Sequence, residues 1–146
     1  RNAGGFWLCG PRPRAAYQVH SYIDRTRGAP TAVNDTIFDR ILRREIPAKV
    51  AYEDDHVLAF HDISPQAPVH VLVIPKVRTE SVASIAELSV TEAGEFMRRV
   101  AVVAAELGLA RSGYRVVFNH GQDAQQTVPY LHAHILGGRS LQWPPG

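Results

Sequence analysis

The sequence predicts an α+β domain, a mainly antiparallel sheet with its helices segregated to one side. Three observations predict it. The apolar segments fall in the order β-β-β-α-β-β. The strand segments are short and rich in branched residues, and one long helix carries both a start and a stop signal. At 146 residues the chain suits one domain with a core of ordinary size.

The elements follow in chain order. Asp35 is the expected N-cap of a short helix from Thr36 to about Glu45, with Ile37, Ile41 and Leu42 at helical spacing and Pro47 closing it. Val50 to Tyr52 and Val57 to Phe60 flank the acidic turn Glu53-Asp54-Asp55 as a β-hairpin. The branched run Val69 to Ile74, ended by Pro75, is a third strand, and a turn of helix is expected near Ser84 to Leu88. The long helix runs from 89 to 107. Ser89 and Glu92 form an S-x-x-E capping box, and Gly108 is its stop. Ala93, Phe96, Met97, Val100, Ala101 and Ala104 make one apolar stripe along it. Tyr114 to Phe118 and Pro129 to Leu136 are the last two strands, and no internal repeat is present.

Composition excludes several classes. The longest apolar run, Val100 to Ala105, falls far short of the roughly 18 residues of a membrane-spanning helix. A single cysteine, Cys9, builds neither a disulfide framework nor a cysteine zinc site, and fits a reducing compartment. The net charge of +2 resides in the N-terminal segment, where five arginines stand against Asp24 and Asp35; the body is close to neutral. Without a basic cluster on the body, no nucleic-acid partner is expected. Residues 1–34, rich in Arg and broken by Gly and Pro, form an extension before a domain at 35–146. Arginine-rich, acid-poor segments occur in organelle-targeting sequences, so the expected compartment is cytoplasmic or organellar, with mitochondria included.

The chemistry concentrates in Tyr130-Leu131-His132-Ala133-His134-Ile135. Alternation along a strand puts Tyr130, His132 and His134 on one face, with imidazoles roughly 7 Å apart, and turns Leu131, Ala133 and Ile135 to the core. Such a pair can offer two nitrogens to a metal, or set a nucleophilic imidazole beside another that contacts the same phosphate. Two solvent-facing histidines is the third alternative. His70, beside an apolar strand, reads as a structural residue; His20, His56, His61 and His120 read as surface. Asp62 can accept hydrogen bonds from a sugar diol or simply shape a turn. Gly137-Gly138-Arg139 lacks the helix that follows a phosphate loop, and neither G-x-S-x-G nor H-E-x-x-H occurs.

Two longer stretches carry a resemblance. Phe60-His61-Asp62-Ile63-Ser64-Pro65-Gln66-Ala67-Pro68-Val69-His70, continuing through Ile74-Pro75-Lys76, closely resembles a signature of the histidine triad (HIT) superfamily. His132-Ala133-His134-Ile135-Leu136-Gly137-Gly138-Arg139, ending in Trp143-Pro144-Pro145-Gly146, is similar to its nucleotide-binding, purine nucleoside phosphoramidase branch. The dinucleoside polyphosphate hydrolase branch lacks that ending. The resemblance implies a five-stranded antiparallel sheet with two helices, two such sheets joining in a homodimer with the long helix at the interface. It implies cleavage of P–N bonds in purine nucleoside 5′-phosphoramidates, aminoacyl-type adenylates included, with no metal or cofactor. His132 would attack the α-phosphorus to give a nucleotidyl-histidine, and His134 would contact the phosphate oxygens. Thr127 stands where the family has a serine at the leaving group, Asn119 on the phosphate side, and Asp62 at the ribose. Phe38, Ile41, Ile46 and Ile63 match the base pocket, and Trp143 would reach toward the partner's site. Two further positions depart from the pattern. Tyr130 replaces the first triad histidine, which with the residue matching His70 belongs to a network behind the nucleophile, and a tyrosine cannot relay protons near neutral pH. Activity is expected to persist at the family's level or below it, with a nucleotide-binding regulator of weak or no turnover as the alternative. Gln125 replaces a glycine beside the phosphate.

Overall fold

A computed structural model of the chain describes residues 35–145; the arginine-rich segment 1–34 lies outside the described residues. Helix α1 (Ile37–Leu42) begins one residue later than expected. Thr36, not Asp35, is the N-cap: its hydroxyl accepts from the Asp39 N–H at 3.3 Å, while the Asp39 carboxylate accepts from the Thr36 N–H at 2.8 Å. Both residues have a capping side chain, but only Thr36 has an acid three positions on to close the reciprocal box. Asp35 instead takes two hydrogen bonds from the Arg43 guanidinium, at 2.7 and 2.8 Å. The helix also stops before Glu45. Arg44 adopts a left-handed conformation (φ 63°), and the Arg44 and Glu45 N–H groups bond back to Ile41 and Arg40 carbonyls.

The hairpin forms as expected from β1 (Val50–Glu53) and β2 (Val57–His61). Asp54 shapes its turn by accepting from the N–H groups of His56 and Val57 at 2.8 and 2.9 Å. Strand β3 (Val69–Pro75) follows, then a 3₁₀ turn at Val82–Glu87, helix α2 (Val90–Glu106), β4 (Tyr114–Val117) and β5 (Ala133–Gly137). All five strands pair antiparallel in the order β1-β2-β3-β5-β4.

The helices do not share one side of this sheet. Phe96, Val100 and Val103 of α2 pack on Val57, Val71, Val73, Ala133 and Ile135, whereas Phe38 and Ile41 of α1 pack with Tyr130 on Leu58, Phe60, Leu72 and Ile74. Strands β2 and β3 are therefore covered on both faces, which is why, His61 and His70 apart, they are apolar throughout rather than alternating.

Helix α2 has the expected capping box, with Ser89 Oγ accepting from Glu92 N at 3.1 Å and the Glu92 carboxylate accepting from Ser89 N at 2.9 Å; Gly108 follows it at φ 74°. Ser89→Ala removes the box and is expected to cost about 1 kcal/mol, lowering Tm by several degrees in a thermal melt. Of the predicted stripe, Phe96, Val100 and Ala104 are buried and Val103 joins them, while Met97 and Ala101 are exposed. The apolar stripe of the helix thus extends beyond the residues that pack on the sheet.

After β5 the chain turns tightly. A Cβ on Gly137 would lie 2.7 Å from a Leu109 methyl, and Gly138 combines φ 84° with a Cβ position 2.9 Å from Pro68. Among the described residues no helix is long and apolar enough to cross a membrane.

Candidate active site

Strand β5 is shorter than the sequence suggests. Pro129 has no N–H to give a ladder, and the Leu131 N–H bonds to the Thr79 carbonyl at 2.7 Å rather than to a strand. The alternation of faces nevertheless runs through the whole segment. Leu131, Ala133 and Ile135 pack under α2, while Tyr130, His132 and His134 point to the α1 face. The two imidazoles lean together, with ring centroids 4.9 Å apart.

Hydrogen-bond partners fix the tautomers, because some of those partners can play only one role. A carbonyl only accepts, so His132, with Nδ1 2.7 Å from the Tyr130 carbonyl, carries its proton there and leaves Nε2 with a free lone pair. A backbone N–H only donates. Gln66 N–H reaches His70 Nδ1 at 3.1 Å, so His70 holds its proton on Nε2. That nitrogen lies 2.9 Å from His134 Nδ1, which therefore accepts, and His134 holds its own proton on Nε2. His134 Nε2 is buried and has no hydrogen-bond partner among the described residues. The result is one imidazole with an available lone pair beside one with an available N–H.

Burial disfavours the charged form of both members of the His70–His134 pair. Desolvation depresses His70, against the opposing charge of Asp62. It depresses His134 to about 4, with His132 and His70 adding to it and Asp62 opposing. Because His134 binds a proton more weakly folded than unfolded, stability is expected to be level above about pH 7. It should fall by about 3 kcal/mol as the pH drops from 6.5 toward 4, read from urea midpoints across that range. His134→Asn should flatten that fall.

Tyr130 is not part of this network. Its ring is 1% exposed and its hydroxyl donates to the Pro75 carbonyl at 2.7 Å. Burial, with the Asp39 charge, raises it to about 12 against the pull of Arg78. The Arg78 guanidinium sits 5.3 Å above the ring and pairs with Asp39 at 2.9 Å, so α1 and the Pro129–His132 segment are clamped together. What Tyr130 supplies to the histidines is its main-chain carbonyl.

Beside them lies a cavity of about 410 Å³ lined by Phe38, Ile41, Ile46, Phe60, Asp62, Ile63 and Leu72. All five residues expected around a base and ribose (Phe38, Ile41, Ile46, Asp62, Ile63) thus share one pocket. Phe38 connects it to the histidines, its ring 5.3 Å from that of His132. Asp62 Oδ1 accepts from Ser64 N at 2.7 Å, and Oδ2 lies 3.5 Å from His70 Nε2. His61, expected at the surface, is half-buried and lines the same cavity, as do Ile37 and Lys49. Asn119 is half-buried just beyond β4; Gln125 and Thr127 are exposed in the connection to β5, and none of the three lines the cavity. Gln125 has φ 56°, the region a glycine enters without strain. His56 and His120 are exposed, as expected, and His20 lies outside the described residues.

A HIT domain model matches residues 43–141. The chain belongs to the HIT family. This HIT protein is 49% identical over 113 residues to a 14 kDa zinc-binding protein of Zea mays, covering 76% of this chain and 88% of that one. It is 46% identical over 113 residues to adenylylsulfatase HINT1 of Arabidopsis thaliana, covering 76% of each. A HIT family hydrolase from Clostridium thermocellum superposes with a TM-score of 0.70 at 40% identity, over 76% of this chain and 96% of that chain.

Proposed function

We propose that this HIT protein is a purine nucleoside phosphoramidase, cleaving adenosine and guanosine 5′-phosphoramidates, aminoacyl-type adenylates among them, to AMP or GMP. One observation carries the reading: a histidine lone pair and a buried, unpartnered histidine N–H stand side by side next to an apolar cavity with a carboxylate at its edge. His132 Nε2 attacks the α-phosphorus, the P–N bond breaks, and the amine leaves with a proton passed to it from water through the Thr127 hydroxyl. His134 donates to the phosphate oxygens, Thr127 serves the leaving group, Asn119 and Gln125 flank the phosphate, and Asp62 holds the ribose. Water then cleaves the nucleotidyl–histidine bond and restores the imidazole. Binding and positioning carry most of the rate enhancement. The relative named an adenylylsulfatase extends the leaving group from amines to sulfate.

The Tyr130 substitution fits an active enzyme, since the carbonyl that orients His132 belongs to the main chain. A homodimer joining two sheets agrees with the free edge of β4 and with the exposed Gly94, Met97, Ala101 and Ala105 on α2, and would bring Trp143 toward the partner's site. Residues 35–146 are the HIT domain of this reading and 1–34 an extension to it.

A metal reading has one geometric observation in its favour, beside the zinc-binding name of the Zea mays relative. Asp62, His70 and His134 each offer a ligand atom within 4.8 Å of the others. An ion at roughly 2.0–2.2 Å from each would have to replace the proton shared by His70 and His134 and draw Asp62 inward. The metal-free reading needs no such rearrangement.

The test is AMP release from adenosine 5′-phosphoramidate, with and without chelator, beside a diadenosine polyphosphate. Chelator-insensitive turnover of the phosphoramidate in preference to the polyphosphate is the expected result. Turnover lost to chelator would favour the metal site. AMP binding without turnover would make the protein a nucleotide-binding regulator, and preference for the polyphosphate would make it a dinucleoside polyphosphate hydrolase.

A further inference from the structure

We propose that Gln126 is the positioning residue of the leaving-group side, its side-chain amide fixing Thr127 where the hydroxyl meets the departing amine. The inference rests on the phosphoramidase reading and adds to it the part that sets the proton donor in place. Thr127 stands exposed in the connection between β4 and β5, outside any helix or strand. A hydroxyl on such a connection needs an anchor from elsewhere in the chain. Gln126, half-buried beside it, supplies one with both its main chain and its side chain. Its N–H donates to the Gly121 carbonyl at 3.0 Å, and its Oε1 accepts from the Gly121 N–H at 3.2 Å, which closes the loop 121–126. Its amide Nε2 donates to the carbonyls of Glu80 at 2.8 Å and Val128 at 3.1 Å. The bond to Val128 spans Thr127, running from the residue before it to the residue after. The bond to Glu80 ties the loop to the segment whose preceding carbonyl, at Thr79, holds the Leu131 N–H. Within the loop Gln125 keeps its left-handed φ of 56°, a conformation that persists where the surroundings enforce it. Both amide donors of Gln126 are engaged by main chain, so the residue acts through Thr127 rather than on a substrate. The His132 side is anchored separately, by the Leu131 bond to Thr79 and by the Arg78–Asp39 pair. The Thr127 hydroxyl gives its proton to the nitrogen as the P–N bond breaks and takes one from water. The hydroxide so formed completes cleavage of the nucleotidyl–histidine.

Two comparisons test this, on variants whose folding is checked by urea unfolding. Gln126→Met removes the amide at similar length. Gln126→Glu keeps the acceptor for Gly121 but sets a charge against two carbonyls. For adenosine 5′-phosphoramidate each should lower kcat on the order of tenfold, with KM within about twofold. For the p-nitrophenyl ester of AMP, whose phenolate departs without a proton, the loss should stay under about threefold. The second comparison is a double-variant cycle. Thr127→Ala should show the same split between amidate and ester. Gln126→Met added to it should deepen the loss by under about twofold, because the group it positions is already gone. Undiminished amidate turnover by folded Gln126→Met, equal losses for amidate and ester, or losses that multiply in the double variant would each overturn the positioning role and leave the phosphoramidase reading standing. A wild type that cleaves the ester and not the amidate, or neither, would sink the phosphoramidase reading and the positioning role with it.

Discussion

His132→Asn is expected to lower AMP release from adenosine 5′-phosphoramidate by at least about a thousandfold while leaving AMP binding in place. The lone pair on Nε2 is the only nucleophile that the reading supplies, and asparagine has none at that reach. The asparagine amide can still donate to the Tyr130 carbonyl, so the buried acceptor keeps a partner and the local structure keeps its anchor. His132→Ala should lose turnover to the same degree and destabilise the fold as well, because that carbonyl is then left unpaired. Undiminished turnover by a folded His132→Asn variant would end the covalent mechanism.

The largest expected loss of stability comes from Tyr130→Ala, about 3–5 kcal/mol in urea unfolding. The ring is fully buried between Phe38 and the Arg78 guanidinium, and its removal opens a cavity beneath the nucleophile. Tyr130→Phe separates the ring from the hydroxyl. It should cost about 1 kcal/mol, for the bond to Pro75, and leave turnover within about threefold. Tyr130→His, which returns the family's residue, should bring little gain in turnover, since the position acts through its carbonyl. A gain of tenfold or more would mean that an imidazole ring here has a role the carbonyl does not fill.

Local signals made most of the fold legible. Branched runs marked the strands, and the S-x-x-E box and Gly108 bounded α2. The errors came where two residues compete for one role or where a distant partner decides. Asp35 and Thr36 are both good caps, and only the acid at position 39 separates them. Whether Leu131 joins a ladder depends on Thr79, more than fifty residues away. The sidedness of the helices was in principle readable, because an unbroken run such as Val71 to Ile74 signals a strand buried on both faces. In the candidate site, the H-x-H spacing gave two histidines on one face but not their tautomers. Those depend on main-chain groups at Tyr130 and Gln66, whose side chains carry no hint of the role. His61 was misread for the opposite reason: a histidine at a strand end next to a turn looks solvated until the cavity beside it is known.

The glycine pair at the end of β5 bears on how variants of this protein will be read. A library scored for folded protein should hold glycine most strictly at 138, because of the left-handed turn against Pro68, and favour it at 137, where any larger residue would have to push the Leu109 side chain aside. Both restrictions would persist in a variant whose histidines had all been replaced. A glycine-glycine-arginine signature beside a nucleotide pocket invites interpretation as a phosphate grip. Here invariance at those two positions would report on whether the chain folds, and would say nothing about whether it still turns over a substrate.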